Sequence, residues 1–351
     1  MALKDDIARR LDTIPDPESG AGLVAAGRIA GLAVSEAGKV SFALEAPNGQ
    51  AERYAAIRDA AEAMARAAPG VSAVTAVLTA HDASQAGGIA QVGAVIAVAS
   101  AKGGVGKSTV AINLACAFAA LGKKTGLLDL DVYGPSAPTL LGLHGVKPQP
   151  GPHKTILPIE KFGLKTMSVG YLVNPDSPMI WRGAMATSAV RQMIDEVQWG
   201  ELDVLVLDLP PGTGDVQLTL VQRVQLAGAI IVSTPQEVAL ADVRRGVVMF
   251  EKTHAPLLGV IENMAWFEDS AGNRVAIFGE GGAKRTAEQV GAPFLGEIPI
   301  DVRLRESADA GAPLVATQPD HPLSARFRDI AAAAYANIAR LNKPAPTIKV
   351  I

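Results

Sequence analysis

Hydrophobic and polar positions fall into two regimes along the chain. Over the first 80 residues the apolar positions alternate, or recur at helical spacing, in short bursts: "LKDDIARRLDTI", "LVAAGRIAGLAVS", "KVSFALEA", "ERYAAIRDAAEAMARA" and "VSAVTAVLTA". Period-two stretches bounded by Gly, Pro and Asn predict strands, and Ala-rich stretches with one apolar stripe predict helices. The order is helix, strand, strand, helix, strand, with Ile57 and Met64 on one helical face. A small α+β domain is therefore expected over residues 1–80. The next stretch, "HDASQAGGIAQ" at 81–91, has no period and reads as a linker.

From residue 92 the apolar runs become continuous: "VGAVIAVAS", "TGLLDLD", "LDVLVLDLP", "AGAIIVSTP", "LLGVIENM" and "PFLGEIP". Strands that are apolar on both faces need helices on both sides of a mostly parallel sheet. Residues 92–342 thus predict a doubly wound α/β domain, with a short tail at 343–351. Helical layers come from "KSTVAINLACAFAALG" and from "HPLSARFRDIAAAAYANIARLN", which carries Phe327, Ile330, Ala334, Ile338 and Leu341 on one stripe.

Composition narrows the function classes. A net charge of −3 offers no general basic field for nucleic acid or anionic lipid. No apolar run approaches the ~18 residues of a membrane span, and the start "MALKDDIARRLD" lacks a signal-peptide core. The single cysteine, Cys116, excludes an internal disulfide and fits a reducing compartment. A cytoplasmic protein is expected, with no membrane and no nucleic acid among its partners.

The candidate chemistry gathers at strand ends, where ligands bind in open parallel sheets. In "AKGGVGKST" the glycines let backbone amides curl around phosphate oxygens, and the following helix directs its positive end at them. The nucleotide-binding set is Gly103, Gly104, Val105, Gly106, Lys107, Ser108 and Thr109. Lys107 would reach the β- and γ-phosphates and Ser108 would ligate Mg²⁺. Ala101 stands where the usual pattern has its first glycine. Asp208 ends an apolar strand, a position that orients a magnesium-bound water, and Gly212 and Gly214 after it can present amides to a γ-phosphate. Of Asp129 and Asp131, one would align the attacking water and the other hold the metal's water shell. A lone strand-end aspartate would as readily cap the next helix.

Together "SAKGGVGKST", "LDLDVYGPS", "DLPPGTGD", "GVIENM" and "IFGEGG" resemble the Mrp/ApbC-type iron–sulfur cluster carrier ATPases, a deviant Walker A branch related to septum-site and partition ATPases. The front module, with "DPESG" and "PGVSAV", is similar to a small iron–sulfur-assembly domain found ahead of such ATPases. The resemblance implies a homodimer that sandwiches ATP, with Lys102 reaching the partner's phosphates. A charge supplied in that way contributes about 10³–10⁵ in rate when it is an arginine finger. It also implies that Asn263 bonds the adenine, that Asp131 is the switch-one carboxylate, and that the clients are iron–sulfur apo-proteins or assembly factors.

One part of the family pattern is missing. The C-P-x-C expected before "IFG" is replaced in "ENMAWFEDSAGNRVAIFGEGG", with Asp269, beside Glu268, where the first cysteine belongs. Cys116 sits on the helix after the phosphate loop, in step with Ile112 and Ala119, where a buried thiol is inert filling. His81, His144, His153, His254 and His321 are scattered without ligand spacing. The chain therefore has no iron–sulfur ligands of its own, and any 4Fe–4S cluster would not be held by its own cysteines alone. Two other readings stay open: a positioning or partition ATPase gripping membrane or DNA, and a nucleotide-gated scaffold without turnover.

Overall fold

The computed structural model describes residues 2–35, 37–46, 50–80, 88–152, 155–172, 183–212, 214, 217, 220–221 and 224–341. His81, His153, most of the expected linker and the tail lie outside them. The chain divides into two compact units, Met1–Ala86 and Gly87–Ile351.

The first unit has the order α1 (Ala2–Leu11), β1 (Ile29–Val34), β2 (Lys39–Ala46), α2 (Ala51–Arg66) and β3 (Ala73–Ala80). β1 pairs antiparallel with β2, and β3 pairs with it in parallel after the α2 crossover. Alternation in β2 buries Val40, Phe42 and Leu44 against Ile7, Leu11, Tyr54 and Ala61. The α2 stripe runs through Tyr54, Ala61 and Ala65, with Ile57 half-buried; Met64, expected beside Ile57, is exposed.

An Asp16 clamp closes this unit. Its carboxylate accepts from Ser19 N at 2.9 Å, Ser19 Oγ at 2.7 Å, Arg28 Nε at 3.2 Å and the Tyr54 hydroxyl. Burial opposes its charge, but bonds from Tyr54, Ser19 and Arg28 outweigh burial and hold the carboxyl well below the usual carboxylate range. Burial, reinforced by Asp16, pushes the Tyr54 phenol up to about 12.

The second unit is built on a nine-stranded sheet. Its strands are β4 (Val92–Ala99), β5 (Thr125–Asp129), β6 (Ile159–Lys161), β7 (Leu164–Ser168), β8 (Leu202–Asp208), β9 (Gly228–Ser233), β10 (Leu257–Glu268), β11 (Arg274–Val275) and β12 (Phe294–Ile300). The spatial order is β11-β10-β9-β4-β8-β5-β7-β6, with β12 also pairing to β10. All pairings are parallel except β6 with β7 and β11 with β10. Those antiparallel additions were not anticipated, because strands of two or three residues carry no readable period.

Its helices among the described residues include α3 (Lys107–Ala120), α4 (Ala137–Leu140), α5 (Gly183–Glu196), α6 (Glu237–Lys252), α7 (Gly282–Gln289), α8 (Val302–Asp309), α9 (Leu314–Thr317) and α10 (Pro322–Leu341). α3 packs with α10, and α6 with α7. Phe327, Ile330 and Ala334 are buried as the α10 stripe predicts, whereas Leu341 at its end is exposed. β4 lies centrally between β8 and β9, so the turn after it opens at the point where the winding reverses.

Asp16→Asn is expected to cost the first unit about 2 kcal/mol, the scale of lost hydrogen bonds to a charged group. Because the folded carboxyl lies below its ordinary value near 4, the wild-type contribution is present above that pH. It is lost as the pH falls further, and the variant shows a flatter acid limb. Calorimetric melts from pH 7 to pH 3 check both statements.

Candidate nucleotide site

β4 ends at Ala99, and the loop to α3 takes left-handed turns at Gly104 (φ 83°) and Gly106 (φ 80°), where a side chain would be strained. A Cβ on Gly103 or Gly104 would meet nothing within 4 Å. These glycines therefore border open space at the N-terminus of α3, which suits an anion. Lys107, the first residue of α3, is nonetheless buried; its Nζ forms an ion pair with Asp208 and lies 3.2 Å from Ser108 Oγ. A carboxylate and a hydroxyl, oxygen ligands of the kind Mg²⁺ takes, are thus gathered under the loop beside an ammonium that suits phosphate. Ser108 and Asp208, the latter through water, are the residues that would hold the metal.

The three aspartates separate into different roles. Asp129 and Asp208 are register partners on β5 and β8. Asp129 Oδ1 accepts from Asp131 N at 3.1 Å. Its Oδ2 accepts from Ser136 N at 3.0 Å, Ala137 N at 3.0 Å and Ser168 Oγ at 2.9 Å. Both of its oxygens are thus engaged inside the protein, Oδ2 three times and Oδ1 once. Asp129, expected beside the γ-phosphate, clamps the "DVYGPS" loop and the start of α4. Burial, then the charge of Asp208, pushes its carboxyl up to about 7. Asp131 is half-buried and accepts from Gly134 N at 3.2 Å. Burial raises its carboxyl, Lys107 pulling it down and Asp208 adding to the rise.

The loop after β8 ties back to the phosphate loop: Gly212 N donates to the Ser100 carbonyl at 2.9 Å, so this amide is used within the protein, while Gly214 is exposed. Gln217, which sequence reasoning missed, is buried and donates to the Pro210 carbonyl, supporting the "PPG" turn. Lys102 is exposed; its carbonyl accepts from Ser100 Oγ at 2.9 Å, and among the described residues its ammonium makes no ion pair.

β10 brings two neighbouring residues to the site with different tasks. Asn263 is buried and donates from Nδ2 to the Val105 carbonyl at 2.8 Å. Glu262 accepts from Ala283 N at 2.6 Å, which fixes the "FGEGG" turn at the head of α7. Burial raises the Glu262 carboxyl, helped by Glu297 opposite it on β12. The signal for Glu262 was its adjacency to Asn263 in "ENM", but nothing in that string names its partner.

Asp269, at the position expected for the first thiolate, forms a turn between β10 and β11. It accepts from Ala271 N at 2.9 Å, Asn273 N at 2.8 Å and Asn273 Nδ2 at 3.1 Å. The Asn273 bonds hold its carboxyl below the ordinary value. Cys116 is buried in α3, and burial pushes its thiol up to about 12. Among the described residues no three His, Cys, Asp or Glu side chains converge to hold a metal ion. Nor is any helix among them long and apolar enough to cross a membrane.

Residues 91–335 match the family described as NUBPL iron-transfer P-loop NTPase, and residues 4–77 match that described as iron-sulfur cluster assembly protein. The chain belongs to the iron–sulfur carrier P-loop NTPases. It is 42% identical over 330 residues to the iron-sulfur cluster carrier protein of Synechocystis, covering 91% of this chain and 93% of the relative. The carrier protein of Escherichia coli K12 is 48% identical over 245 residues, 70% of this chain and 66% of the relative. A nucleotide-binding protein from Archaeoglobus fulgidus solved with ADP is 40% identical at a TM-score of 0.58, covering 66% of this chain and 91% of that one. The cell division ATPase MinD of Pyrococcus furiosus shares the fold at 18% identity and a TM-score of 0.52, over 70% of this chain and 99% of that one.

The raised thiol predicts slow alkylation. At pH 8 native Cys116 should react with iodoacetamide at least about tenfold more slowly than the same cysteine in denaturant, since the thiolate is the nucleophile. Mass spectrometry against time measures this directly.

Proposed function

We propose that this chain is a homodimeric ATPase of the cytoplasm that acts in iron–sulfur protein maturation, either holding a cluster only together with an apo-protein client or assembly factor or supplying the ATP-driven step alone. The observation that carries the reading is the buried Lys107 and Asp208 pair beside Ser108, set beneath an open glycine loop with Lys102 in solvent. Bound Mg²⁺ would neutralise phosphate charge at Ser108 and Asp208. Lys107 leaves Asp208 to meet the β- and γ-oxygens, and Asp131 aligns the water that attacks the γ-phosphorus. The bond to the β–γ bridging oxygen breaks, giving ADP and phosphate. Lys102 of the second copy offsets charge on the transferred group. Asn263 offers its remaining amide oxygen to adenine, and the backbone around Gly212 and Gly214 follows the γ-phosphate. Residues 1–80 serve as the assembly-type domain, 81–91 as linker and 92–342 as the ATPase domain.

Lys107→Ala should abolish nucleotide binding, because triphosphate charge is left unneutralised at the helix terminus. Asp131→Asn should bind ATP normally and turn over about a hundredfold more slowly, the low end of general acid–base contributions. Lys102→Ala should also bind without turnover. Mixing it with Asp131→Asn should restore phosphate release in one of the two composite sites. No recovery in proven heterodimers counts against the shared site, and binding without release in the wild type would leave a nucleotide-gated scaffold.

A dimer supplies two cysteines, both Cys116, whereas an all-cysteine 4Fe–4S cluster takes four thiolates. Anaerobic reconstitution of the chain alone is therefore expected to leave no stable cluster. Asp269 and Glu268 would attract iron weakly as hard oxygen ligands. Iron retained only when a thiol-bearing client is added supports the carrier reading. A cluster band lost on Cys116→Ser would overturn this assignment of ligands.

A further inference from the structure

We propose that Asn263 is a positioning residue for the phosphate loop itself: its amide locks the Val105–Gly106 peptide in the orientation that turns the Gly106 N–H toward the ligand side. This rests on the nucleotide-binding reading above and adds to the adenine contact a task that is independent of the base.

A trans peptide is planar, so its carbonyl and the following N–H point in opposite directions. The Val105 carbonyl is held on Asn263 Nδ2 at 2.8 Å, both residues being buried. The Gly106 N–H therefore faces away from β10, to the side where the loop is open. Glycine at 106, already at φ 80°, would allow that peptide to rotate at little steric cost. The carbonyl must also have a donor, since a buried acceptor left unpaired is costly.

The surroundings are built around this contact. A Cβ at Gly106 would run into the Asn263 amide and lie 3.7 Å from Met264 Cε, so the space left by the missing side chain is taken by β10. Met264 itself has φ 57°, unusual for a non-glycine residue inside a strand, and the pairing of β10 with β12 shifts register between Asn263 and Phe267. Bulges of this kind re-aim side chains and are found beside functional sites. Here the bulge follows directly after Asn263, where β10 meets the underside of the phosphate loop.

The deciding ligand is one with no base. Titration calorimetry with Mg²⁺–tripolyphosphate and with Mg²⁺–ATP should show both binding about tenfold more weakly to Asn263→Ala, about the equivalent of one buried hydrogen bond. Hydrogen exchange on the ligand-free protein should rise at residues 103–108 and stay unchanged in α10. Should Asn263→Ala melt too early to study, Asn263→Ser, too short to reach the carbonyl, is expected to show the same pattern. Weakened ATP with unchanged tripolyphosphate would mean that Asn263 serves the base alone and would overturn the proposal, as would unchanged exchange in the loop. Failure of the wild type to bind either ligand would instead sink the nucleotide reading, and loop exchange would still decide the role of Asn263.

Discussion

The ion pair between Lys107 and Asp208 is the contact on which the nucleotide site depends. Both groups are almost wholly removed from solvent, and removing one partner of such a pair costs about 3–5 kcal/mol because the other charge is left stranded. Asp208 also neighbours Asp129, so without Lys107 two carboxylates would face each other at the ends of β5 and β8. The lysine that a phosphate would recruit is thus the same group that makes the unliganded site tolerable. Under the proposed function, a bound phosphate would give Lys107 a second partner in place of Asp208, whose charge would then face the metal's water.

Around that pair the chain fixes its loops with buried hydrogen bonds from outside each loop. Asp129 gathers three backbone amides and the Ser168 hydroxyl to shape the "DVYGPS" loop. Glu262 anchors the "FGEGG" turn, and the Asn263 amide does the same for Val105. Gly212 is tied to Ser100. Each loop that would touch ligand is held from the protein side, leaving Lys102, Gly103, Gly104 and Gly214 facing outward. Pre-shaped loops of this kind lower the ordering cost of binding.

Asp269 and Cys116 show why the departure from the thiolate pattern is not repaired by geometry. Asp269 spends its carboxylate on the turn to β11, while Cys116 packs inside α3 with a thiol that stays protonated. Neither is set out as a ligand. The chain thus keeps the glycine and lysine spacing of the phosphate loop, while neither of these two residues is free to act in a thiolate's place.

Sequence alone determined the parts whose signal is local. Continuous apolar runs specified buried parallel strands, alternation specified β2 of the first unit, and the glycine and lysine spacing located the phosphate loop, because each follows from backbone period or from covalent neighbours. The resemblance then supplied the family. Residues whose task depends on a distant partner were not legible: Asp129 and Asp131 are two positions apart and look alike in the string, yet one is consumed by loop amides and the other is half-open. Glu262 and Asn263 are adjacent, yet pleating sends one to α7 and the other to Val105, 158 residues away in sequence. Met64 and Leu341 fall at the expected spacing but are exposed; Ala61 and Ala65 on either side of Met64 are fully buried, so Met64 sits at the edge of its stripe rather than on it. Only the tertiary structure decided these, because hydrogen-bond partners and burial are set by which elements meet in space, and no periodicity along one segment encodes the surface that will cover it.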